Sequence, residues 1–591
     1  MIASAEVGAI IHAGRPIVVI ESMKMQHDVT CDNDVVIDSV HVSPGETVSE
    51  GAVLVVATIT SRAPVETERS LHDSGERTDL GEVFARRMAG SDDARSEATK
   101  RRHERGRRTA RENILDLVDE DSFVEYGPLV LAAQRRRRSV DDLIAKTQSD
   151  GLVAGLASVN GDIFEGRASR VAVMSYDYAV LAGTQGQQNH RKKDRLFDVV
   201  ERLRIPVVFF AEGGGGRPGD TDGLGVSGLD CWAFHDFARL SGNVPLVGVT
   251  GGFCFAGNAA ILGCCDVVIA CEGSNIGMGG PAMIEGGGLG VYRPEEIGPL
   301  SVQRFNGVVD LVATDDEDAV RLAKKYLGFF QGRTTDARVS DQSSLRTMVP
   351  ENRVKSYDVR TVIDGLFDAD SVLELRRDFG VGMITSLARI DGRPVGVLAN
   401  NPRHLGGAID SDGADKAARF MQLCDAHGLP VITLVDTPGM MVGPDVEATA
   451  LVRHCSRLFV TGVNLDVPMI SVVLRKSYGL GAQAMMGGST KAPLACVAWP
   501  TGEFGGMGLE GAVRLGYRHE LEAIADPVER EATFESMVAR MYEHGKAVSV
   551  AGHFEIDDVI DPAETRAWLT AILESAPEVD RTRRRRIVDT W

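Results

Sequence analysis

Three places in this sequence could do chemistry: a lysine between methionines, Met23-Lys24-Met25, and two small-residue loops that run into helices. An exposed lysine amine can be acylated and then carry a tethered group. The loops read Thr250-Gly251-Gly252-Phe253-Cys254-Phe255-Ala256-Gly257-Asn258 and Arg475-Lys476-Ser477-Tyr478-Gly479-Leu480-Gly481-Ala482. Small residues before a helix let backbone N–H groups point into a cleft. Fixed donors of that kind stabilise a developing oxyanion, each by about 3–4 kcal/mol.

Lys24 must be positioned by what surrounds it. The stretches Gly8–Val19 and Gly45–Val56 repeat at a spacing of 37 residues, with glycines matched at Gly8/Gly45 and Gly14/Gly51 and an apolar β-rich run after each. Turn glycines alternating with short Ile/Val strands predict a small flattened β-barrel over residues 1–57. Lys24 then falls at a hairpin tip between Ile17–Ile20 and a strand near Val29, where a modifying enzyme and distant sites can all reach it. The strand before the second copy, Val35–Val42, has a counterpart that lies before Met1, so the barrel is expected to be short at its start. Residues 58–78 are polar and aperiodic and read as a linker, with an r.m.s. span of roughly 25 Å.

The two loops belong to a larger repeat. Pro206–Phe210 matches Pro430–Leu434, Val244–Val247 matches Val467–Ile470, and Gly257–Gly263 matches Gly481–Gly487, at offsets of 224, 223 and 224. Each unit reads as strand, Gly-rich loop, small-residue helix and strand, an α/β pattern. The expected halves are 79–345 and 346–580, the first opening with charged helical residues up to about 118.

Composition bounds the rest. With 591 residues, 43% hydrophobic and 25% charged, the chain has the mixture of a globular protein with several cores. A net charge of -20 disfavours nucleic acid as a partner. The runs Arg135–Arg138 and Arg583–Arg586 are solvated faces or else phosphate or subunit contacts. Nine cysteines without a C-x2-C pair argue against a zinc site and for reduced thiols in the cytoplasm. No apolar run reaches the roughly 18 residues that span a bilayer, and no signal peptide precedes the barrel pattern. Gly213–Gly216 is not a phosphate loop, because no Gly-Lys-Ser/Thr follows.

With these motifs in view, residues 8–56 around Met23-Lys24-Met25 resemble the biotinyl/lipoyl carrier family, and the flanking methionines favour biotin. Residues 79–575 resemble the carboxyltransferase subunit of biotin-dependent acyl-CoA carboxylases, of the crotonase superfamily. This rests on Arg102–Glu112 leading into Asp121–Glu125, the doubled loops, Asp436-Thr437-Pro438-Gly439, Arg475-Lys476-Ser477-Tyr478-Gly479, Ala498–Glu503, and Glu555–Pro562 with Thr565-Arg566. The resemblance implies an α/β fold: a small all-β carrier barrel, then two homologous crotonase-like halves. It implies biotin on Lys24, with Met23 and Met25 as its recognition flanks. Two oxyanion holes would face each other across a dimer interface, with amides of Ala256 and Gly257 holding the acyl-CoA thioester oxygen as an enolate. Amides of Leu480 and Gly481 would hold the ureido oxygen of carboxybiotin. CO2 leaves, the biotin nitrogen takes the α-proton, and the enolate attacks CO2. Where the family has Gly-Gly, this chain has Ala256, whose amide serves if its φ is negative.

No side-chain base is needed, so His190, His235 and His404 are expected to have no catalytic role. Lys192 is a candidate contact for a CoA phosphate, and Gln483 stands where the family tunes acyl length. No ATP-grasp pattern is present, so the resemblance implies a separate biotin carboxylase subunit, a biotin ligase, an acyl-CoA substrate and at least a dimer, commonly a hexamer. No metal or membrane contact is expected. The alternatives are a decarboxylase or transcarboxylase running the same half-reaction, and a non-catalytic CoA-binding carrier scaffold. The acyl group is left open among acetyl, propionyl and longer or branched chains.

Overall fold

The computed structural model describes residues 6–61, 77–217, 219–223, 228–335, 337–577, 579 and 586–591. The chain divides into two compact units, residues 1–81 and 82–591.

The first unit is built from β1 (Ile10–Ile11), β2 (Pro16–Ser22), β3 (Met25–Thr30), β4 (Val35–Val40) and β5 (Val55–Ile59). β4 pairs antiparallel with β1 and β5, while β2 and β3 form a hairpin. Ile17, Val18, Val35 and Ile37 close its small core. The 37-residue repeat is visible in the backbone. Gly8 and Gly45 have φ of 89° and 86°, and Gly14 and Gly51 have 76° and 84°. Nothing crowds these four glycines, so it is the left-handed conformation that selects them. β5 runs past the expected carrier end at residue 57, and residues 62–76 of the expected linker lie outside the described residues.

The second unit holds two sheets of one design. In the first, β6 (Val124–Glu125), β7 (Leu152–Ser158) and β8 (Arg170–Tyr176) pair antiparallel. The sheet continues parallel through β9 (Val207–Phe210), β10 (Leu246–Thr250), β12 (Val267–Cys271) and β14 (Leu311–Ala313), while β11 (Phe253–Phe255) pairs with β13 (Asn275–Gly277) beside it. In the second, β15 (Leu373–Leu375), β16 (Met383–Ile390) and β17 (Arg393–Asn400) are antiparallel. Then β18 (Val431–Thr437), β19 (Met469–Tyr478), β20 (Ala495–Ala498) and β22 (Asp558–Val559) run parallel, and β21 (Glu503–Gly505) pairs with the end of β19. The central strands β9 and β18 are buried at every residue, as continuous apolar runs covered on both faces require.

The helices follow the same duplication. α1 (Gln187–Leu203) and α3 (Ser411–His427) lie 224 residues apart at both ends. α2 (Gly257–Gly263) and α4 (Gly479–Met485) follow β11 and β19. The third sequence anchor is corrected by one residue. Ala256 and Gly479 share the left-handed turn, with φ of 53° and 55°, and buried Asn258-Ala259 matches buried Gly481-Ala482. The offset here is therefore 223, and the paired glycines that suggested 224 stand one step apart on the two helices. The expected boundary at 345/346 falls at the start of the helix Leu345–Met348, and Leu345 already packs into the core of the second half.

One hydrophobic core runs through both halves, and α3 crosses it, with 15 of its 17 residues buried. Buried charges pin the seam. Arg419 donates to Asp266 O (2.8 Å), His427 bonds Asp266 Oδ2 (3.0 Å), and Arg376 pairs with Asp310 (2.9 Å). Removing one partner of a buried pair leaves a charge uncompensated, at a cost of about 3–5 kcal/mol. Arg376→Met, which leaves Asp310 with Arg419 only at 3.8 Å, is therefore expected to lower the unfolding free energy by about 3 kcal/mol or more. Urea denaturation of the full chain measures this, and a loss below about 1 kcal/mol contradicts it.

Candidate active site

The hairpin turn that presents Lys24 is two residues long. Ser22 pairs with Met25, and Met23 and Lys24 take φ of 52° and 65° between them. Left-handed backbone at both central positions is the turn that matches the twist of paired strands. Its side chains stand in solvent, Met23 at 95% and Met25 at 65% exposure. Lys24 between them is exposed too, as attachment of a group to its amine requires.

In the larger unit both stretches run from the ends of strands into helices, where α/β sheets place ligands: residues 253–255 are β11 and 257–258 open α2, while 475–478 close β19 and 479–482 open α4. In the first half, Ala256 ends β11 in the left-handed turn, and α2 begins at Gly257. Ala260 is the first residue of the helix to reach back, to Ala256 O (2.9 Å), so the amides of Gly257, Asn258 and Ala259 lack intrahelical partners. The condition set for Ala256 is not met: its φ is positive, and its N–H donates to Gly277 O at 3.0 Å. Of the expected donor pair, only Gly257 keeps an amide outside the strand ladder. Packing is tight at that point, since a Cβ on Gly257 would lie 3.1 Å from Gln185 Nε2 and from Phe234 Cζ, and both side chains would have to give way.

In the second half, Leu480 and Gly481 occupy the first turn of α4, where amides again lack intrahelical partners. A Cβ on Gly481 would meet Gly439 C at 2.6 Å, so the backbone after β18 lies directly on the helix start. Leu480 is 63% exposed and Gln483 is exposed one turn on. Behind each loop sits a paired acid. Glu212 accepts two bonds from Arg102 (2.9 and 2.8 Å). Asp436, fully buried, pairs with Arg475 (3.1 Å) and Lys476 (3.3 Å).

Lys192 is not placed to meet a phosphate. It is 7% exposed, and its Nζ donates to Gly127 O (3.2 Å) and Leu152 O (2.5 Å). Its counterpart at offset 224, Lys416, is also buried and donates to Phe379 O (2.9 Å), so Lys192 ties α1 to β7 and Lys416 ties α3 to the connection between β15 and β16. The helical pattern gave no sign of this, because a long cationic side chain can point either way from such a position. Of the three histidines, His190 is turned inward, with Cys231 Sγ 3.1 Å from Nδ1. Burial pushes His190 down to about 3 and keeps it neutral. His235 pairs with Asp236 at the surface (2.8 Å), and His404 faces Asp410 (3.6 Å). Sequence reasoning missed Gln185, Lys193 and Asn258, which meet beneath Gly257. No spacing rule marks them, since they lie on three separate elements.

The arginine runs are partly absorbed. The amides of Arg135 and Arg136 donate to Asp222 (2.7 and 3.0 Å), and their side chains, with Arg86 and Gln188, border a groove of about 560 Å³. Arg586 binds Asp425 and Asp466, while residues 583–585 lie outside the described residues. Among the described residues, no helix is long and apolar enough to cross a membrane.

With this geometry established, comparison with known proteins decides the family. A family model described as carboxyl transferase domain matches residues 101–587, and one described as biotin-requiring enzyme matches residues 3–57. The chain belongs to the carboxyl transferase family. It is a biotin-dependent carboxyltransferase of the acyl-CoA carboxylase type, with a biotin carrier domain on the same chain. It is 32% identical over 486 residues to the methylmalonyl-CoA carboxyltransferase 12S subunit of Propionibacterium freudenreichii subsp. shermanii, covering 80% of this chain and 89% of that one. It is 30% identical over 518 residues to the propionyl-CoA carboxylase beta chain of Saccharopolyspora erythraea, covering 84% and 92%. Among solved structures, a single-chain, multi-domain long-chain acyl-CoA carboxylase matches at 55% identity and a TM-score of 0.80. The match covers 96% of this chain and 54% of that enzyme, so the carboxyltransferase described here spans about half its length.

Two tests follow from the site itself. Ala256 holds a backbone conformation that costs a residue with a Cβ about 1–3 kcal/mol. Ala256→Gly is expected to raise stability by about 1 kcal/mol, read as a higher Tm, and an unchanged or lower Tm contradicts the strain. Burial pushes Lys192 down to about 8 from its ordinary 10.5. Between those values the unfolded chain holds a proton that the folded chain lacks, so this group makes stability rise with pH across the window. Lys192→Met should lose that rise and leave the KM for acyl-CoA unchanged. A KM raised about tenfold, or an unaltered pH dependence of stability, would return Lys192 to substrate binding.

Proposed function

We propose that this chain transfers a carboxyl group from biotin on Lys24 to the α-carbon of an acyl-CoA, and that a long acyl chain is preferred. The observation that carries the substrate choice is the 55% identity, across 96% of this chain, to a long-chain acyl-CoA carboxylase. The enzymes named for propionyl and methylmalonyl groups stand at 30% and 32%. The same contrast favours a carboxylase over a transcarboxylase.

Biotin, when attached, carries the carboxyl group and, once free of it, accepts the α-proton. The remaining work falls to the chain's own backbone. The Gly257 amide, in the first turn of α2, is placed to hold a thioester oxygen while negative charge grows on it. Leu480 and Gly481 offer the matching amides to the ureido oxygen. A negative charge gains most from donors that are already fixed, because no reorganisation is needed at the moment of reaction. Met23 and Met25 flank the attachment lysine for the biotin ligase, and exposed Gln483 borders the acyl path. A biotin carboxylase, acting in cis or in trans, loads the carrier. The match to the transcarboxylase 12S core, a hexamer assembly, covers 87% of this chain at a TM-score of 0.74, which supports a homo-oligomer with paired half-sites. All nine cysteines are unpaired, which supports a reducing compartment, the cytoplasm.

The test uses the full chain coexpressed with biotin ligase and then supplied with biotin carboxylase, ATP and bicarbonate. One biotinyl group per chain is expected by intact mass, lost in Lys24→Arg. Carboxylation of palmitoyl-CoA should exceed that of propionyl-CoA in kcat/KM by about tenfold or more. Biotin retained in Lys24→Arg rejects the attachment site, and a preference for propionyl-CoA rejects the long-chain reading.

A further inference from the structure

Beneath the first oxyanion loop, three side chains that do no chemistry themselves form an unbroken hydrogen-bonded line. Lys193, Gln185 and Asn258 are 0%, 3% and 0% exposed. Lys193 Nζ donates to Gln185 Oε1 (3.0 Å) and to Tyr176 Oη (2.9 Å). Gln185 Nε2 donates to Asn258 Oδ1 (3.1 Å), which also accepts from Gly215 N (3.2 Å). Asn258 Nδ2 donates to Gly183 O and Glu212 O, both at 3.2 Å. The Asn258 amide thus makes the four bonds it is capable of, two accepted and two donated. It ties three strands of backbone together: the turn before α1, the loop after β9, and the start of α2 itself.

The order of donors fixes every orientation. With Lys193 as an ammonium, only the oxygen of Gln185 can face it, so the nitrogen faces Asn258. Two donors on Asn258 Oδ1 then force its nitrogen toward the two carbonyls. Burial pushes Lys193 down to about 7, a cost that a core without a task for the lysine would avoid by using an apolar side chain. The second half shows that the fold accepts this. At the equivalent positions it has Ile409, Ala417 and Gly481, all buried and none with a polar side chain. The bridge Gln185–Gly216 recurs as Ile409–Met440, so the frame is the same while the polar line is gone. Where Asn258 fills the space in the first half, the Gly439 backbone closes onto Gly481 in the second.

We propose that Lys193, Gln185 and Asn258 are positioning residues that hold the Gly257 amide in register with the 213–216 loop for transition-state binding in the first site. This rests on the functional reading given above. The relay does not touch substrate; it acts through α2. Its loss should therefore lower kcat and leave the ground-state affinity for acyl-CoA in place.

The experiment compares Gln185→Glu, Asn258→Ala and Lys193→Met in the full biotinylated chain. Gln185→Glu keeps the volume and the bond to Lys193 but removes the donor to Asn258. Expected are a kcat for palmitoyl-CoA carboxylation lowered about tenfold or more with KM within about twofold. Faster amide hydrogen exchange is also expected in 253–263 and 211–217, with no change in 476–486. Where Asn258→Ala fails to fold, Gln185→Glu carries the decision. Folded variants with unchanged kcat, a loss confined to KM, or exchange equal to wild type in 253–263 overturn the relay. A wild-type chain that carboxylates no acyl-CoA tells against the functional reading alone, and the exchange comparison still decides whether the relay sets the α2 terminus.

Discussion

Each catalytic half depends on one close approach of backbone to backbone. In the first, Leu181, Ala182 and Gly183 run left-handed at φ of 51°, 55° and 63°; in the second, Leu405, Gly406 and Gly407 do so at 46°, 63° and 93°. The turn brings its last glycine onto a carbonyl at the C-terminal end of the central strand, Glu212 just beyond β9 and Asp436 within the last residues of β18. A Cβ on Gly183 would stand 2.5 Å from Glu212 O, and one on Gly407 2.2 Å from Asp436 O. No residue but glycine fits this contact. The long helices α1 and α3 start just beyond it, and the loops after β9 and β18 are held in place by it. The starts of α2 and α4 lie against the backbone so anchored: Gly215 N donates to Asn258 Oδ1, and Gly439 lies on Gly481. Left-handed backbone at leucine and alanine is costly, and it persists because the helix, the sheet and the neighbouring loop all over-determine it.

What the duplication kept and what it changed separate architecture from chemistry. Kept are the turn, the paired long helices, the lysine pair Lys192 and Lys416 and an acid at the C-terminal end of each central strand. The acids are neutralised by different routes, Glu212 from Arg102 ahead of the sheet and Asp436 from Arg475 on β19. A buried carboxylate needs a partner, and the fold supplies one twice without repeating the residue. Changed are the residues nearest the helix starts. The first half has a polar line under Gly257; the second has aliphatic side chains and glycine. The divergence lies directly beneath the helix starts, where the two halves share a backbone frame but not a side-chain environment.

Both repeats and the order of elements were legible in the sequence because they depend on local rules. Turn glycines at Gly8, Gly14, Gly45 and Gly51 are selected by φ, and φ is a property of a few consecutive residues. Apolar runs such as Val207–Phe210 mark buried parallel strands for a similar reason. The biotinyl tip was legible as a break between two such runs. Illegible were the features that depend on contacts between distant segments. A lysine at position 192 can face solvent or two carbonyls, and only the packing of α1 on β7 decides. The one-residue slip between Gly257 and Gly481 arose because each helix carries glycines near its start, while burial, set by the facing sheet, fixes the true register. Ala256 could be given only a condition, a negative φ, because no sequence pattern reveals that its φ is 53°.

The carrier tip obeys the same logic on a smaller scale. A two-residue turn with left-handed backbone at both positions is normally filled by asparagine and glycine. Here Met23 and Lys24 occupy it and pay the steric penalty of a Cβ at each position. Glycine would relieve that strain, but it would remove the amine and the flanking side chain together. A strained turn that survives at an exposed tip, where substitution is easiest, points from the outlier to a use for the residues that cause it. The tip and the two loops thus share a constraint. In each, the backbone geometry favours glycine; Met23, Lys24 and Ala256 depart from it, while Gly479 keeps it.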